Sequence, residues 1–274
     1  MSLTYSLNQG DIGMQNAIAT IKETNPIVLT VANNVTPADV ANGLNALGAS
    51  PMMSQTPEEA DDMVNIAQAA AINLGTLNPH QRGEMEAVME AAKKYDKPTV
   101  LDPVACGATM YRLRVVTELL HQYHFTVIRG NAGEIATLAG VDWQSHGIDA
   151  GEGNADLEKV ARLAAEKLGS VIVLSGEVDI VTDGTRLARL PYGSPAFKTH
   201  VGTGDMLSSL IGAFLATNDD AFDAAVDAVT TFTLCGQAVE DQRPGNWYPG
   251  LLNNLDAVTD QQLAAWQEAF GREA

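Results

Sequence analysis

The segment Val201-Gly202-Thr203-Gly204-Asp205-Met206-Leu207 places two glycines and an acid directly before an apolar helical pattern. Glycine lets the backbone approach a ligand closely, and the first N–H groups of a helix favour an anion such as phosphate. Asp205 stands where it could take the proton from an attacking hydroxyl group. The alternative is that Asp205 only caps the helix and complements its dipole. The segment favours a phosphoryl-transfer site, with Gly202, Thr203 and Gly204 as the anion hole.

Short apolar runs alternate with longer amphipathic runs along the rest of the chain. Strands are predicted at 27–31, 70–74, 99–101, 126–128 and 171–174, with a late hairpin of 180–182 and 186–190 joined by Asp183-Gly184. Helices are predicted at about 83–95, 110–122, 132–139, 156–168, 205–217, 220–240 and 260–270. This order predicts an α/β fold with a mainly parallel central sheet and helices on both faces. We predict one domain over residues 1–274.

Capping signals mark three helix starts. Thr36-Pro37, Thr56-Pro57 and Asn78-Pro79 each put a capping side chain before a proline at the first helical position. Thr56 and Glu59 also have the spacing of a capping box. The segment 149–154, rich in glycine and acids, is predicted to be a loop too short for a domain boundary.

Composition limits the function classes. The chain has 274 residues, 46% of them hydrophobic, and a formal net charge of −18. That charge argues against nucleic acid or an anionic membrane as a partner, while local amides, an Arg and Mg²⁺ still permit ATP. Cys106 and Cys235 form no metal-spaced or disulfide pattern. No signal-peptide pattern or apolar run of membrane-spanning length occurs, so we expect a soluble cytoplasmic protein.

Polar residues follow the predicted strands, where ligands bind in open α/β sheets. Asn131 and Glu134 lie three apart at a helix start and could hold Mg²⁺, or could only cap that helix. Asp102 is either a second acid near the metal or a turn residue. Arg129 can neutralise phosphate or form a surface ion pair. Ser175 offers the nucleotide a hydroxyl group, or belongs to an ordinary turn. No Walker A string occurs, so the phosphates must be held in another way.

Two early segments differ from ordinary loops. Asn33-Asn34 with Val35, and the stretch 47–53 ending in Met52-Met53, could form an apolar pocket with a few polar groups. Methionine fills irregular apolar gaps and contacts flat rings well, although core packing is the alternative for either Met. His121 and His124 have no third ligand nearby in the sequence and are predicted to lie on the surface.

Several strings together resemble the hydroxyethylthiazole kinase family of the ribokinase-like superfamily. They are Asn33-Asn34-Val35, Ala41-Asn42-Gly43-Leu44, Ala46-Leu47-Gly48-Ala49-Ser50-Pro51, Asn73-Leu74-Gly75-Thr76-Leu77, Leu101-Asp102-Pro103-Val104, Arg129-Gly130-Asn131-Ala132-Gly133-Glu134-Ile135-Ala136, Gly176-Glu177-Val178-Asp179 and Gly202-Thr203-Gly204. The resemblance runs from about residue 10 to the C-terminus. Gly-Thr-Gly-Asp marks only the superfamily, whereas Asn-Asn-Val with Ala-Leu-Gly-Ala-Ser-Pro is specific to the family.

The resemblance implies a ribokinase-like fold, ATP and Mg²⁺, and phosphorylation of the hydroxyethyl group of a thiazole alcohol in thiamine salvage. It also implies a homotrimer with active sites shared between subunits. By position, Met53 and Gly202 would contact the thiazole, and Arg129 and Ser175 would contact ATP. Asn131 and Glu134 match the Asn-x-x-Glu motif associated with Mg²⁺, and Asp102 is grouped with them.

Asp205 would hold the catalytic-base position. Many members of the family carry Cys there, whereas this chain has the Asp usual in sugar kinases, which favours base catalysis. Two alternatives remain at this point. One is another ribokinase-like kinase, acting on a hydroxymethylpyrimidine or a sugar. The other is a non-catalytic sensor of nucleotide or thiazole, against which the presence of both Asp205 and Glu134 argues.

Overall fold

A computed structural model of the chain describes residues 16–141 and 153–270. One eight-stranded sheet runs through these residues. Its strands are β1 (Ile27–Val31), β2 (Ser50–Met52), β3 (Ala69–Asn73), β4 (Thr99–Asp102), β5 (Val127–Asn131), β6 (Val171–Ser175), β7 (Asp179–Thr182) and β8 (Leu187–Leu190). Every predicted strand is confirmed to within a few residues at its ends. The edge strand β2 was not predicted.

The strand order is β2-β1-β3-β4-β5-β6-β7-β8. The first six strands in this order pair in parallel, and β6-β7 and β7-β8 pair antiparallel. The predicted mainly parallel sheet with a late hairpin is therefore confirmed. Because neighbouring parallel strands point the same way, the carboxyl ends of β1 to β6 meet at one edge of the sheet, where the site residues are expected.

Alternate residues of the strands bury into two separate cores. In β6, Val171 and Val173 join one core, while Ile172 and Leu174 join the other. The period of two along a strand sends neighbouring side chains to opposite faces, so a continuous apolar run is buried on both. The prediction of helices on both faces is confirmed.

Eleven α-helices surround the sheet in the described part of the chain. They are α1 (Ala17–Thr24), α2 (Pro37–Leu47), α3 (Ala60–Ile66), α4 (Pro79–Lys94), α5 (Met110–Gln122), α6 (Ala132–Ala139), α7 (Gly153–Leu168), α8 (Thr203–Leu215), α9 (Ala221–Gln237), α10 (Pro244–Ala257) and α11 (Asp260–Phe270). All predicted helical stretches are confirmed, and α1 and α10 were not predicted. None of the described helices is long and apolar enough to cross a membrane.

The predicted helix caps have different outcomes. Asn78 caps α4, since its side chain accepts from the N–H groups of His80 and Gln81 at 3.0 Å each. Thr36 occupies the N-cap position of α2 but makes no capping hydrogen bond. The capping box of Thr56 with Glu59 is wrong: Ser54 donates to Glu59 and accepts from the Thr56 N–H at 3.0 Å. The side chain that bonds to Glu59 is therefore that of Ser54, two residues before the predicted Thr56.

The loop predicted at 149–154 is partly wrong. Gly153 and Asn154 belong to α7, which begins three residues before the predicted helix. Residues 149–152 lie outside the described residues. The predicted turn at Asp183-Gly184 lies within a loop of residues 183–186, where the Asp183 side chain accepts from the N–H groups of Thr185 and Arg186 at 2.8 and 2.7 Å.

Candidate active site

Asp205 lies in the first turn of α8, directly after a sharp change in backbone direction at Gly202. Gly202, the N-cap residue, has φ +94°, a left-handed conformation that L side chains rarely adopt. Gly202 offers no side chain to cap the helix, so the first N–H groups of α8 remain available to an anion. Gly202 supplies the left-handed turn before the helix start, and the role of Gly202, Thr203 and Gly204 as an anion hole stays a prediction.

Three neutral side chains donate hydrogen bonds to the Asp205 carboxylate. Oδ2 accepts from Asn33 Nδ2 and from Thr36 Oγ1, both at 2.6 Å. Oδ1 accepts from Asn73 Nδ2 at 2.9 Å. We call Asp205, Asn33, Thr36 and Asn73 the base cluster. The Asp205 carboxylate thus makes contacts across the fold, because its partners lie in the β1–α2 segment and at the end of β3, far from α8 in sequence.

The Asn33 and Asn73 amides are themselves fixed by the turns in which they lie. Asn33 Oδ1 accepts from the Val35 N–H at 2.8 Å, and Asn73 Oδ1 accepts from the Gly75 N–H at 2.7 Å. Both side chains are buried. With their oxygens committed to the backbone, both amides present N–H groups to Asp205. Asn33 was predicted only as a polar group of an early pocket, and Asn73 and Thr36 were missed as site residues.

A second group of side chains lies at the ends of β4, β5 and β6. Arg129 donates from Nε to Ser175 Oγ at 2.8 Å, and its Nη1 lies 3.4 Å from Asp102 Oδ2. Ser208, one turn along α8, donates to the same Asp102 oxygen at 2.7 Å. We call Arg129, Asp102, Ser175 and Ser208 the arginine cluster. The predicted residues Arg129, Asp102 and Ser175 are thus brought together, and each is the end or near the end of its strand rather than beyond it.

The two clusters meet at Gly204. A Cβ atom added there would lie 2.3 Å from Arg129 Nη1, so only glycine allows the guanidinium to lie this close to the start of α8. The positive charge of Arg129 therefore lies against the predicted anion hole. Such an arrangement suits a phosphate, which would accept from backbone N–H groups and from a planar guanidinium together.

Asp102 is 1% exposed. Burial raises its pKa to about 6, the charge of Arg129 opposes this rise, and the nearby charges of Asp205 and Glu134 add to it. Its Oδ1 atom is buried without a hydrogen-bond partner. A buried carboxylate oxygen without a donor is costly, so this atom is suited to an additional donor or cation in the functioning protein.

A cavity of about 430 Å³ opens beside the arginine cluster. Its lining includes Arg129, Ser175, Thr203 and Gly204, together with the β6-β7 turn and the segment 191–198. This volume is in the range of small-molecule and cofactor sites. A second cavity of about 720 Å³ lies near the amino ends of β4 and β5, at the opposite edge of the sheet, and contains none of the predicted site residues. The first cavity is the candidate nucleotide site.

Asn131 and Glu134 form the reciprocal capping box of α6. Asn131 Oδ1 accepts from the Glu134 N–H at 3.0 Å, and Glu134 Oε2 accepts from the Asn131 N–H at 2.8 Å. Glu134 Oε1 also accepts from the Ala105 N–H at 2.7 Å. The capping alternative is therefore realised. Each Glu134 oxygen still has a lone pair, because a carboxylate oxygen can accept two hydrogen bonds.

The remaining lone pairs of the Glu134 carboxylate suit a cation held through water rather than by direct ligation. Within residues 16–141 and 153–270, no group of three or more His, Cys, Asp or Glu side chains converges as a metal site. Mg²⁺ in phosphate sites keeps several waters and uses one or two carboxylates. The free lone pairs of Glu134 and the orphaned oxygen of Asp102 match that pattern.

The remaining predicted residues lie near this edge or outside it. Met53 follows β2, next to β1, and packs half-buried against the core that contains α2 and α8. His121 and His124 are exposed, as predicted. Cys106 is buried, and burial raises the pKa of its thiol to about 12, with Glu134 adding to the rise. A thiol with this pKa is not a nucleophile near neutral pH.

Comparisons with known proteins agree with these observations. A model of the "HK: Hydroxyethylthiazole kinase family" matches residues 18–261. A hydroxyethylthiazole kinase of Limosilactobacillus fermentum is 99% identical over 254 residues, which are 93% of this chain and 100% of that protein.

Solved structures give the same picture. A hydroxyethylthiazole kinase protein from Pyrococcus horikoshii is 34% identical, with a TM-score of 0.83 over 89% of this chain and 93% of that one. A ribokinase-like superfamily protein from Enterococcus faecalis is 15% identical, with a TM-score of 0.61 over 85% of this chain and 88% of that one. The second likeness shows the fold alone, and it is the ribokinase-like fold.

Proposed function

This chain belongs to the hydroxyethylthiazole kinase family, and we propose that it transfers the γ-phosphoryl group of ATP to the hydroxyl group of 4-methyl-5-(2-hydroxyethyl)thiazole. The product is a phosphate ester that serves thiamine salvage. The observation that carries this proposal is the placement of Asp205, a carboxylate held by three donors beside the helix start where phosphate would bind. A protein that only sensed nucleotide or thiazole would not need a base there.

In the proposed reaction, Asp205 takes the proton of the substrate hydroxyl as its oxygen attacks the γ-phosphorus. The O–H bond breaks as the new P–O bond forms, and the bond between the γ-phosphorus and the bridging oxygen breaks to release ADP. The N–H groups of Gly202, Thr203 and Gly204 stabilise the negative charge on the transferring group. Positioning and charge stabilisation supply most of the catalysis in such reactions.

We assign ATP to the cavity beside the arginine cluster, with Arg129 and Ser175 as contacts. Arg129 is 15% exposed, and Asp102 and Ser175 orient its guanidinium. An Arg fixed in this way presents donors to the phosphates without first losing much side-chain freedom. Asp102 acts through Arg129 at Oδ2, and its Oδ1 atom, which has no hydrogen-bond partner, would be available to hold the metal through water.

Magnesium is the proposed metal, with Glu134, Asn131 and Asp102 as the residues that would hold it through water. When bound to the phosphates, Mg²⁺ supplies charge neutralisation. Each Glu134 oxygen accepts from one backbone N–H group, that of Ala105 or that of Asn131. The other lone pair of each oxygen could accept from metal-bound water. The capping box fixes the orientation of the Glu134 carboxylate, which is the acceptor.

The thiazole is assigned to the side of the site formed by Gly202 and Met53. Gly202 lies against Thr36 of the base cluster, and Met53 offers a soft apolar group for a sulfur-containing ring. We further propose a homotrimer in which the Met53 side of one subunit faces the Gly202–Asp205 segment of the next. The family resemblance supports this arrangement, and the half-buried Met53 at the edge strand is compatible with it.

The function is tested by ADP release with Mg-ATP and the thiazole alcohol, compared with the 5-ethyl analogue that lacks the hydroxyl group. The proposal expects rapid ADP release only with the alcohol, because the analogue has no oxygen to accept the phosphoryl group. Equal ADP release with both compounds would contradict an alcohol kinase, since water would then be the acceptor.

The shared site is tested by mixing two inactive variants, Asp205→Asn and Met53→Arg, under conditions that exchange subunits. A shared site regains partial activity, because some interfaces pair an intact Met53 with an intact Asp205 of another subunit. Each variant alone, taken through the same exchange, is the control. Activity that stays absent in every mixture would overturn the shared site and leave the kinase function standing.

A further inference from the structure

Thr36 stands where a helix cap is expected, yet its hydroxyl group does not cap. It is the N-cap residue of α2 and precedes Pro37, a sequence arrangement typical of a capping threonine. Its Oγ1 instead donates to Asp205 Oδ2 at 2.6 Å and lies 3.4 Å from Asn33 Oδ1. Thr36 is 2% exposed. The helix forgoes the stabilisation of a capping hydrogen bond, and the hydroxyl group is used on Asp205 instead.

The methyl group of Thr36 contacts the other side of the same segment. A Cβ atom added to Gly202 would lie 2.5 Å from Thr36 Cγ2, so this methyl group packs directly on the Gly202 backbone. One side chain therefore contacts both the proposed base and the N-cap residue of the anion hole. It links the start of α2 to the start of α8.

The donors are unequally divided between the two oxygens of Asp205. Oδ2 accepts from Asn33 and Thr36, whereas Oδ1 accepts only from Asn73. A carboxylate has about four lone-pair sites, two on each oxygen. Oδ2 is therefore saturated, and the open lone pair is on Oδ1.

We propose that Thr36 is a positioning residue that saturates Asp205 Oδ2, so that Oδ1 is the oxygen that takes the proton of the substrate hydroxyl. This rests on the proposed function, in which Asp205 is the base. Thr36 does not touch the reacting atoms. It fixes the rotation of the carboxylate through its hydroxyl group and the path of Gly202 through its methyl group.

A nearby threonine provides a matched control. Thr30, on β1, is also 2% exposed, and its Oγ1 lies 3.2 Å from the Ser209 hydroxyl on α8. Thr30→Val therefore removes a buried hydroxyl contact between β1 and α8, one turn of α8 beyond Asp205. A general loss of packing or stability would affect Thr30→Val and Thr36→Val alike.

The test is a double-mutant cycle of Thr36→Val and Asp205→Asn, with kcat and the KM for ATP measured for each variant. A hydrogen bond to a charged group predicts a loss of about ten- to a hundredfold in kcat for Thr36→Val, with the KM for ATP unchanged. Thr36→Ser, which keeps the hydroxyl group but loses the methyl group, is expected to lose less kcat than Thr36→Val. Thr30→Val is expected within about threefold of the unmodified protein. In the Asp205→Asn background, Thr36→Val is expected to change kcat by less than about threefold, because both act through one carboxylate.

Three outcomes would overturn the proposal. Thr36→Val with unchanged kcat while Asp205→Asn is inactive would refute the positioning role and leave the base intact. An equal loss from Thr36→Val with and without Asp205 would show a merely structural role. An active Asp205→Asn would remove the base assignment itself and Thr36 with it. If Thr36→Val fails to fold, Thr36→Ala against Thr36→Ser makes the same comparison, with melting temperatures as the check.

Discussion

The base cluster and the arginine cluster place their carboxylates in different electrostatic environments within one site. In the base cluster, a carboxylate accepts its hydrogen bonds from two amides and a hydroxyl group, which are all neutral. In the arginine cluster, a carboxylate at the end of β4 lies 3.4 Å from a guanidinium. Both acids are at the same sheet edge: Asp205 belongs to α8, and Asp102 accepts a hydrogen bond from Ser208 of that helix.

The difference matches the work proposed for each side. Neutral donors orient Asp205 without cancelling its charge, so that the carboxylate can still attract a proton. Arg129 carries a fixed positive charge toward the place assigned to the phosphates, and Asp102 keeps it there. Gly204 lies between the two clusters, and its lack of a side chain leaves room for the Arg129 guanidinium. The predictions below test whether the clusters can be impaired separately.

The largest expected effect is the loss of the base. Asp205→Asn keeps the size of the side chain but removes the proton acceptor, so kcat is expected to fall by about 10²–10⁴. The nucleotide affinity is expected to stay within about threefold, because the arginine cluster is untouched. Steady-state kinetics and ATP binding by calorimetry measure both values. Asp219→Asn, at an exposed acid beyond the end of α8, is the control. A variant that turns over within a few-fold of the parent would reduce Asp205 to a cap.

The next effect is on nucleotide binding. Arg129→Met removes the charge and keeps an apolar stem, and we expect the KM for ATP to rise about tenfold or more, with the KM for the thiazole little changed. Gly204→Ala is expected to act in the same direction, because its Cβ would push the guanidinium away from Ser175. Arg243→Met, at an exposed Arg paired with Asp241, is the matched control. A rise confined to the thiazole KM would show that the two clusters are assigned the wrong way round.

A smaller effect is expected at the metal. Glu134→Gln removes the charge that orients metal-bound water, and the Mg²⁺ concentration for half-maximal activity is expected to rise about tenfold. The amide can keep one of the two backbone hydrogen bonds, so the protein should still fold. A Mg²⁺ titration and a melting curve distinguish the two roles of this residue. An unchanged titration with a lower melting temperature would leave Glu134 with the capping role alone.

The smallest effect concerns a buried acid on α4. Glu84 is 4% exposed, and burial raises its pKa to about 7 from an ordinary value near 4.5. The folded state therefore binds its proton more tightly than the unfolded state, and stability falls as pH rises from about 4.5 to 7. Glu84→Gln removes this penalty.

The variant is expected to be more stable than the parent at pH 8 by on the order of 1–2 kcal/mol, with the difference shrinking at pH 5. Denaturant unfolding at the two pH values measures this, and Glu58→Gln at an exposed position is the control. Equal differences at both pH values would mean that the charge of Glu84 is not the cause. Activity at pH 7 should not change, which separates this acid from Asp205.

Sequence patterns predicted most of the fold because its strands are apolar runs buried on both faces. The exceptions have local reasons. β2 is three residues long and contains Pro51, so it has no alternation to recognise. α10 contains Pro249 and two glycines, which lower the helical signal, and packing of Trp247 and Leu251 into the core stabilises it. Whether the whole chain is one domain stays a prediction.

The site was predicted only in part. Arg129, Asp102 and Ser175 follow from the rule that parallel strands end at one edge. Asn73 and Thr36 could not be placed, because their contacts with Asp205 span 132 and 169 residues and depend on the order of the strands. The capping pattern of Thr36 also pointed to the wrong partner. A cap residue without a cap bond is the kind of local inconsistency that marks a functional position.

The central claim is that this site phosphorylates a thiazole alcohol, and a competition in one vessel tests it most directly. The protein is given limiting Mg-ATP with equal concentrations of the thiazole alcohol, a hydroxymethylpyrimidine and a sugar, and the phosphate esters are quantified by mass spectrometry. The account predicts that the thiazole phosphate dominates and that Asp205→Asn, at equal ATP occupancy, forms it at least about a hundredfold more slowly. A pyrimidine or sugar phosphate as the main product, or ADP without any ester, would contradict it.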